Sequence, residues 1–193
     1  MALALVCLLT FHPSPTVHLA SGSASHRASW VPSRSRTASP KTVGAEGLET
    51  RADLLGQSVS FRAPDSRGAL TAVPSPENRA TVLDFWAPDC APCARSLPKL
   101  VAKTEDLKER GIRLVLVRVL LEGESTDQAK GVLRSWGVYR DFVVDRNGAV
   151  QKQLNLGKLP ATVVVDRQAR LKWVAPGDAT AEDVEAAARV VAK

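Results

Sequence analysis

Two cysteines separated by two residues are the side chains whose types and spacing could do chemistry in this chain. Cys90 and Cys93 follow an apolar run that ends at Trp86. The run predicts a buried strand, and the residues from Ala94 onward predict a helix. Side chains at positions i and i+3 of a helix are neighbours, so the two sulfurs can meet across one turn. This spacing suits a reversible dithiol/disulfide pair.

The predicted start of the helix gives the two sulfurs different environments. The first helical turn has free N–H groups and the positive end of the helix dipole, which lower a thiol pKa below its usual value of about 8.5. Cys90 would lie at the exposed helix tip, whereas Cys93 would lie one turn inward, buried and protonated. We therefore expect Cys90 to attack a substrate disulfide and Cys93 to resolve the mixed disulfide.

A structural disulfide and half of a metal site are the alternatives for this pair. A zinc site normally has four ligands drawn mostly from Cys and His. The sequence after residue 53 contains no histidine and no cysteine besides Cys90 and Cys93. We therefore expect no metal and no cofactor, while the structural disulfide remains an alternative.

Residues on both sides of the pair match the active-site segment of a known family. Asp84 lies six residues before Cys90, and Pro98 lies five residues after Cys93. Far downstream, Pro160 precedes a second β-forming run. In these features the chain resembles the thioredoxin-fold oxidoreductases. The long interval between Cys93 and Pro160 is similar to that of the TlpA/ResA-like group, which inserts a helix–strand unit there.

The resemblance implies that Asp84 accepts the proton of Cys93, through a water molecule. A carboxyl group inside an apolar strand has its pKa raised by desolvation, which suits a proton acceptor near neutral pH. Two other interpretations of Asp84 stay open. The side chain could pair with a cation such as Arg118 on the neighbouring predicted strand, or it could turn outward at a sheet edge.

The resemblance also implies which residues meet a substrate. In the family, a cis peptide before the residue at Pro160 packs against the cysteines, and the backbone of the preceding residue, Leu159, pairs with a substrate strand. The sequence by itself supports only a turn at this position. Trp86 and Pro92 would wall the site, and ordinary packing of both side chains is compatible with that role.

Two departures from the family pattern bear on thiol reactivity. Asp89, where many relatives have an aromatic residue, places a carboxylate beside Cys90, which should oppose thiolate formation. The residues between the cysteines are Ala91 and Pro92, which bring no cation or imidazole to the sulfurs.

Strands alternate with helices after residue 54, which predicts an α/β domain. By resemblance it is a thioredoxin-like three-layer sandwich with an N-terminal β-hairpin and an inserted helix–strand unit. The predicted hairpin strands are 58–62 and 69–73, and the predicted sheet strands are 80–86, 112–120, 141–145, 162–165 and 171–174. The predicted helices are 91–110, 124–137, 149–154 and one that starts at 180–183.

The first 53 residues predict an export signal and a linker. Residues 1–24 form a candidate signal segment, because an apolar stretch too short to span a bilayer is followed by small residues. Residues 25–53 are too polar to form a core and predict a disordered linker ahead of the domain, 54–193. A lipid tether at Cys7 has weak support, because the preceding residue is Val6 rather than a small one. The predicted location is periplasmic or otherwise exported, and cytoplasmic if residues 1–24 are not a signal.

Composition and charge narrow the function classes. The 193 residues carry a net charge of +6, and 45% are hydrophobic, as in a globular protein. No basic stripe interleaved with aromatics appears, so we expect no nucleic-acid partner. The resemblance implies a thiol–disulfide oxidoreductase that reduces protein disulfides in an exported compartment, for example in cytochrome c or copper-site assembly. Its partners would be protein disulfide or dithiol substrates and an upstream thiol electron donor. The alternative is a non-catalytic thioredoxin-fold module that binds proteins.

Overall fold

The computed structural model describes residues 52–121, 123–176 and 179–193. The candidate signal segment and nearly all of the predicted linker lie outside the described residues. The strands are Phe61–Pro64 (β1), Leu70–Val73 (β2), Ala80–Trp86 (β3), Ile112–Leu120 (β4), Phe142–Arg146 (β5), Ala161–Asp166 (β6) and Leu171–Pro176 (β7). The helices are Ala91–Glu105 (α1), Thr126–Ser135 (α2), Ala149–Gln153 (α3) and Ala181–Val191 (α4). Within the described ranges, no helix is both long enough and apolar enough to cross a membrane.

The central layer is a five-stranded sheet in the order β5-β4-β3-β6-β7. Strand β3 pairs parallel with β4 and antiparallel with β6, and all seven of its residues are buried. A strand covered on both faces has no need for polar alternation, which explains its almost continuous apolar sequence. β5 pairs parallel with β4 at one edge and follows α2, so these two elements form the predicted inserted unit.

Two groups of elements cover the two faces of this sheet. Buried residues of α1, α2 and α4 pack on one face. The β1–β2 hairpin, α3 and the segment that begins at Leu54 pack on the other face, around Leu83 and Phe85 of β3. The predicted thioredoxin-like three-layer sandwich with a hairpin and an inserted unit is therefore confirmed.

The first strand of the hairpin was predicted too early in the chain. Residues 58–60 instead run beside the turn between β6 and β7, where the N–H of Val59 donates to the carbonyl of Ala169 at 2.7 Å. The hairpin turn is shifted because one carboxylate oxygen of Asp65 accepts the N–H groups of Arg67 and Ala69. This side chain closes the turn after Pro64, so β1 extends to that residue.

Helix α1 ends five residues earlier than predicted. After Glu105 the chain turns so that Leu107 becomes fully buried, and a 3-10 turn follows over Lys108–Arg110. Gly111 closes this turn with a φ of 72°, a left-handed conformation that favours glycine. Burial of one apolar side chain thus interrupts the helix where its sequence is otherwise compatible with continuation.

Candidate active site

The two cysteines form a disulfide at the junction between β3 and α1. Cys90 is the N-cap residue of α1, and its Sγ accepts the N–H of Cys93 at 3.2 Å. The Cα atoms of Cys90 and Cys93 are 5.2 Å apart. Pro92 lies in the first helical turn, where a missing N–H costs no hydrogen bond. The predicted position of the pair, where a strand ends and a helix begins, is observed.

Both cysteines are largely shielded from solvent, and Cys90 is slightly more exposed than Cys93. Cys93 has no exposed surface, whereas Cys90 is 8% exposed. Both pack in one buried cluster with Trp86, Leu97 and neighbours on β4 and α2. Cys90 is therefore the more accessible of the two, although it is far less exposed than the prediction of an open helix tip implied.

Asp84 is buried on the face of the sheet that carries α1. It is 2% exposed, and its Oδ2 accepts a hydrogen bond from the Oγ1 of Thr162 at 2.7 Å. Its Oδ1 has no hydrogen-bond partner among the described residues. Burial raises the pKa of Asp84 to about 7, and the Thr162 hydrogen bond opposes that rise. The side chain is therefore not turned outward.

Pairing between Asp84 and Arg118 is also not what the structure shows. In the register between β3 and β4, Leu116 lies opposite Asp84, and Arg118 lies opposite Trp86. Arg118 forms its ion pair with Glu124 instead, with 3.3 Å between Nη2 and Oε2.

The loop before β6 lies against the disulfide cluster. The peptide bond between Leu159 and Pro160 is cis, as the family resemblance implied. Pro160 is buried, and the half-buried Leu159 packs against the cluster that contains Cys90 and Cys93. Two residues further along, Thr162 reaches Asp84. The sequence analysis did not identify Thr162, because its role depends on the antiparallel register between β3 and β6.

Trp86 packs in the core at the end of β3. Its indole is fully buried and makes edge-to-face contacts with Trp136 and Phe142, with ring centroids 5.6 Å apart in both pairs. A side chain with no exposed surface supports the site from inside the core. Trp86 as a wall of the substrate site stays a prediction beside this packing role.

Pro92 lies at the surface beside the disulfide. It is half-buried and lines a groove of about 270 Å³ between α1 and the start of α4. Arg95, Ser96 and Lys99 line the same groove. Larger hollows of about 600 Å³ lie near Arg79, at the opposite end of β3, far from the cysteines.

The sheet order, the CxxC disulfide at a strand–helix junction and the cis-proline loop packed against it together define a protein of the thioredoxin-like fold. The family model described as Redoxin matches residues 56–191. This match covers most of the chain, so the protein belongs to the Redoxin family.

The chain is also similar to curated relatives that are named thiol-disulfide oxidoreductases. The thiol-disulfide oxidoreductase ResA of Geobacillus kaustophilus is 29% identical over 107 residues, 55% of this chain and 60% of that protein. ResA of Bacillus subtilis is 25% identical over 121 residues, 63% of this chain and 66% of that protein. The chain thus spans less than two thirds of the length of these relatives. The resemblance to the ResA-like group is confirmed.

Among solved structures, the fold is similar to that of a putative thiol:disulfide interchange protein DsbE from Chlorobium tepidum. The TM-score is 0.63 at 20% identity, with coverage of 72% of this chain and 98% of that one. StoA from Bacillus subtilis gives a TM-score of 0.57 at 20% identity, covering 68% of this chain and 98% of that one. At these identities, the structural matches support the thioredoxin-like fold.

Proposed function

We propose that this protein is a thiol–disulfide oxidoreductase that reduces disulfides of other proteins through Cys90 and Cys93. The observation that carries the proposal is the disulfide itself, formed at the start of α1 and packed against the cis-proline loop. The similarity to relatives named thiol-disulfide oxidoreductases supports it.

The proposed reaction begins with the reduced protein. The Cys90 thiolate attacks one sulfur of a substrate disulfide, forms a mixed disulfide and releases the other substrate sulfur as a thiolate. Cys93 then loses its proton and attacks the Cys90 sulfur, which releases the second substrate sulfur and forms the Cys90–Cys93 disulfide. Two electrons pass to the substrate, and an upstream dithiol donor returns two electrons to regenerate the pair.

Asp84 is the proposed acceptor of the Cys93 proton, through a water molecule. A carboxyl group with a pKa of about 7 can both accept and release a proton near neutral pH. Thr162 holds Oδ2, which leaves Oδ1 as the oxygen available for the proton. The backbone of Leu159 is the proposed contact for an extended substrate, the cis Leu159–Pro160 peptide supports the cysteines from inside, and Pro92 lies at the edge of this surface.

The proposed setting is an exported compartment, with protein substrates such as those of cytochrome c or copper-site assembly. The candidate signal segment, residues 1–24, and the similarity to ResA support this proposal. A membrane tether is not part of the proposal.

Trapping experiments with single cysteine variants test the proposed roles. We expect Cys93→Ser to accumulate mixed disulfides with protein substrates, because the resolving thiol is absent. Cys90→Ser should trap nothing, because Cys93 is fully buried and cannot reach a substrate. Non-reducing electrophoresis and mass spectrometry would identify the adducts and the cysteine that carries them.

Insulin reduction separates this proposal from its alternatives. The wild-type protein should reduce insulin with a dithiol donor, and both cysteine variants should lose that activity. A wild-type protein without activity, whose partner binding survives in both variants, would instead indicate the non-catalytic binding module. Trapping by Cys90→Ser rather than Cys93→Ser would reverse the two cysteine roles.

A further inference from the structure

Arg118 is a buried cation that the proposed reaction does not yet use. Its side chain is only 1% exposed, and buried arginines are normally fully paired. Its Nη2 lies 3.3 Å from the Oε2 of Glu124, yet none of the three guanidinium nitrogens makes a well-directed hydrogen bond within the described residues. The same Oε2 accepts the N–H of Leu121 at 2.7 Å. Beyond this ion pair, the Nε and Nη1 of Arg118 have no hydrogen-bond partner within the described residues.

The position of Arg118 links this charge to the disulfide. Alternate residues of a strand share a face, so Arg118 lies between Leu116 and Leu120 on one face of β4. Both leucines belong to the buried cluster that contains Cys90 and Cys93. Trp86, opposite Arg118 in the sheet register, belongs to the same cluster. The guanidinium thus lies on the face and at the end of the sheet where the disulfide lies.

The acidic groups around Arg118 bear on the same site. Asp89, which directly precedes Cys90, interacts electrostatically with Arg118. Burial lowers the pKa of Arg118, and the nearby Glu124 and Asp89 carboxylates raise it. An arginine in this position keeps its charge at neutral pH.

We propose that Arg118 is a positioning residue whose buried positive charge stabilises the Cys90 thiolate and thereby sets the redox potential of the cysteine pair. This inference rests on the proposed function. Reduction of the disulfide by two electrons and one proton gives a Cys90 thiolate and a Cys93 thiol, so one negative charge appears at Cys90. Arg118 attracts that charge, and it also offsets the opposing carboxylate of Asp89.

Charged and titratable groups from several elements contribute to the field at Cys90. Acidic and basic side chains around the site come from the loop before α1, from α1 itself, from β4 with the loop after it, and from β3. The N-terminal N–H groups of α1 add to them. The side chains are Asp89, Arg95, Arg118, Glu124 and Asp84. Of the two cations in this set, Arg118 is buried and Arg95 is exposed, so the charge of Arg118 is screened less by solvent.

Charge variants at Arg118 test the proposal in the full-length protein. We expect Arg118→Gln to raise the Cys90 pKa by on the order of one pKa unit. Iodoacetamide alkylation should slow by up to about tenfold at a pH below the wild-type Cys90 pKa, where the rate follows the thiolate fraction. The potential should become more negative at a pH above the Cys90 pKa of both proteins. A tenfold change in the equilibrium constant corresponds to about 30 mV for a two-electron couple. Arg118→Lys should retain most of the wild-type values, because the charge remains.

The matched control is Arg113→Gln, which removes an exposed arginine from the same strand and should change neither quantity. Glu124→Gln independently tests the direction in which the Cys90 pKa and the potential shift. It also keeps the proposal testable if Arg118→Gln fails to fold. Removing the anion that opposes Arg118 should lower the Cys90 pKa and make the potential less negative.

Alkylation across a pH series and equilibration with glutathione give the two readouts. If Arg118→Gln lowers thermal stability but leaves the Cys90 pKa and the potential unchanged, Arg118 has only a structural role and the proposal is wrong. The proposal would also be contradicted if Glu124→Gln and Arg118→Gln shifted the Cys90 pKa in the same direction. If the wild-type protein does not reduce insulin, the proposed function is wrong. The Cys90 pKa in the Arg118 variants would still show whether Arg118 stabilises the thiolate.

Discussion

At the scale of single residues, Asp84 couples the proposed chemistry to the stability of the fold. Its carboxyl group is buried against Thr162, and its pKa of about 7 in the folded protein lies above the ordinary value of 3.8. The protonated form is therefore favoured by folding. This contribution is fully present below about pH 4 and is lost as the pH rises through 7.

We predict that Asp84→Asn removes this pH dependence. Above pH 7 the variant should be more stable than the wild type by a few kcal/mol, since each pKa unit is worth about 1.4 kcal/mol. Near pH 4 the two proteins should have similar stability, because Asp84 is then neutral. Urea unfolding measured from pH 4 to pH 9 gives the comparison.

The exposed Asp127→Asn is the control for this prediction, and it should leave the pH profile of stability nearly unchanged. The Asp84→Asn variant should also reduce substrate disulfides more slowly, because attack by Cys93 on the mixed disulfide needs the Cys93 thiolate. A stability profile identical to that of the wild type would contradict the raised pKa. An unchanged pH profile of insulin reduction would contradict the proton-acceptor role.

At the scale of elements, α4 shows how a short local motif holds a helix against the sheet. The Oγ1 of Thr180 accepts the N–H of Asp183 at 3.1 Å, and the Oδ2 of Asp183 accepts the N–H of Thr180 at 3.2 Å. This reciprocal capping box satisfies two N–H groups at the start of the helix. The helix then buries Val184 and Ala188 against the sheet.

We predict that Thr180→Ala lowers the free energy of unfolding by about 1 kcal/mol, the usual cost of losing an N-cap side chain. Thr180→Ser should behave like the wild type, because its hydroxyl can make the same hydrogen bond. Urea unfolding midpoints, with the slope unchanged, would measure the difference. Equal midpoints for the alanine and serine variants would show that the cap contributes nothing to stability.

At the scale of the whole molecule, the described core begins at Leu54. Leu54 and Val59 are buried in the cluster behind β3. The backbone between them pairs with the start of β7, where the N–H of Gly56 donates to the carbonyl of Leu171 at 2.8 Å. The segment just before the hairpin is thus part of the packed domain.

We predict a difference in stability between two shortened proteins, both measured beside the full chain: one starts at residue 51 and keeps residues 54–59, and the other starts at residue 60 and lacks them. A protein starting at residue 60 should unfold at a lower temperature, because it loses two buried side chains and several backbone hydrogen bonds. Thermal unfolding followed by circular dichroism compares the three proteins. Equal stability of the two shortened proteins would mean that residues 54–59 do not contribute to the core.

Local patterns in the sequence were sufficient for much of this fold. The bounds of β3 and β4 were predicted correctly, because long apolar runs between turn residues have few alternatives. The boundary of α1 and the first hairpin strand were not, because burial of Leu107 and the side-chain contacts of Asp65 decide them. Such contacts override local propensity at the ends of elements.

By itself the sequence determined the cysteine pair, its place between a strand and a helix, and the α/β character of the domain. These properties depend on neighbours within a few positions along the chain. Only the tertiary structure decided that Thr162 bonds Asp84, that Arg118 pairs with Glu124, and that Trp86 is wholly buried. The first two depend on how strands and loops distant in sequence are placed beside each other, and the third depends on packing from several elements. A local pattern contains neither kind of information.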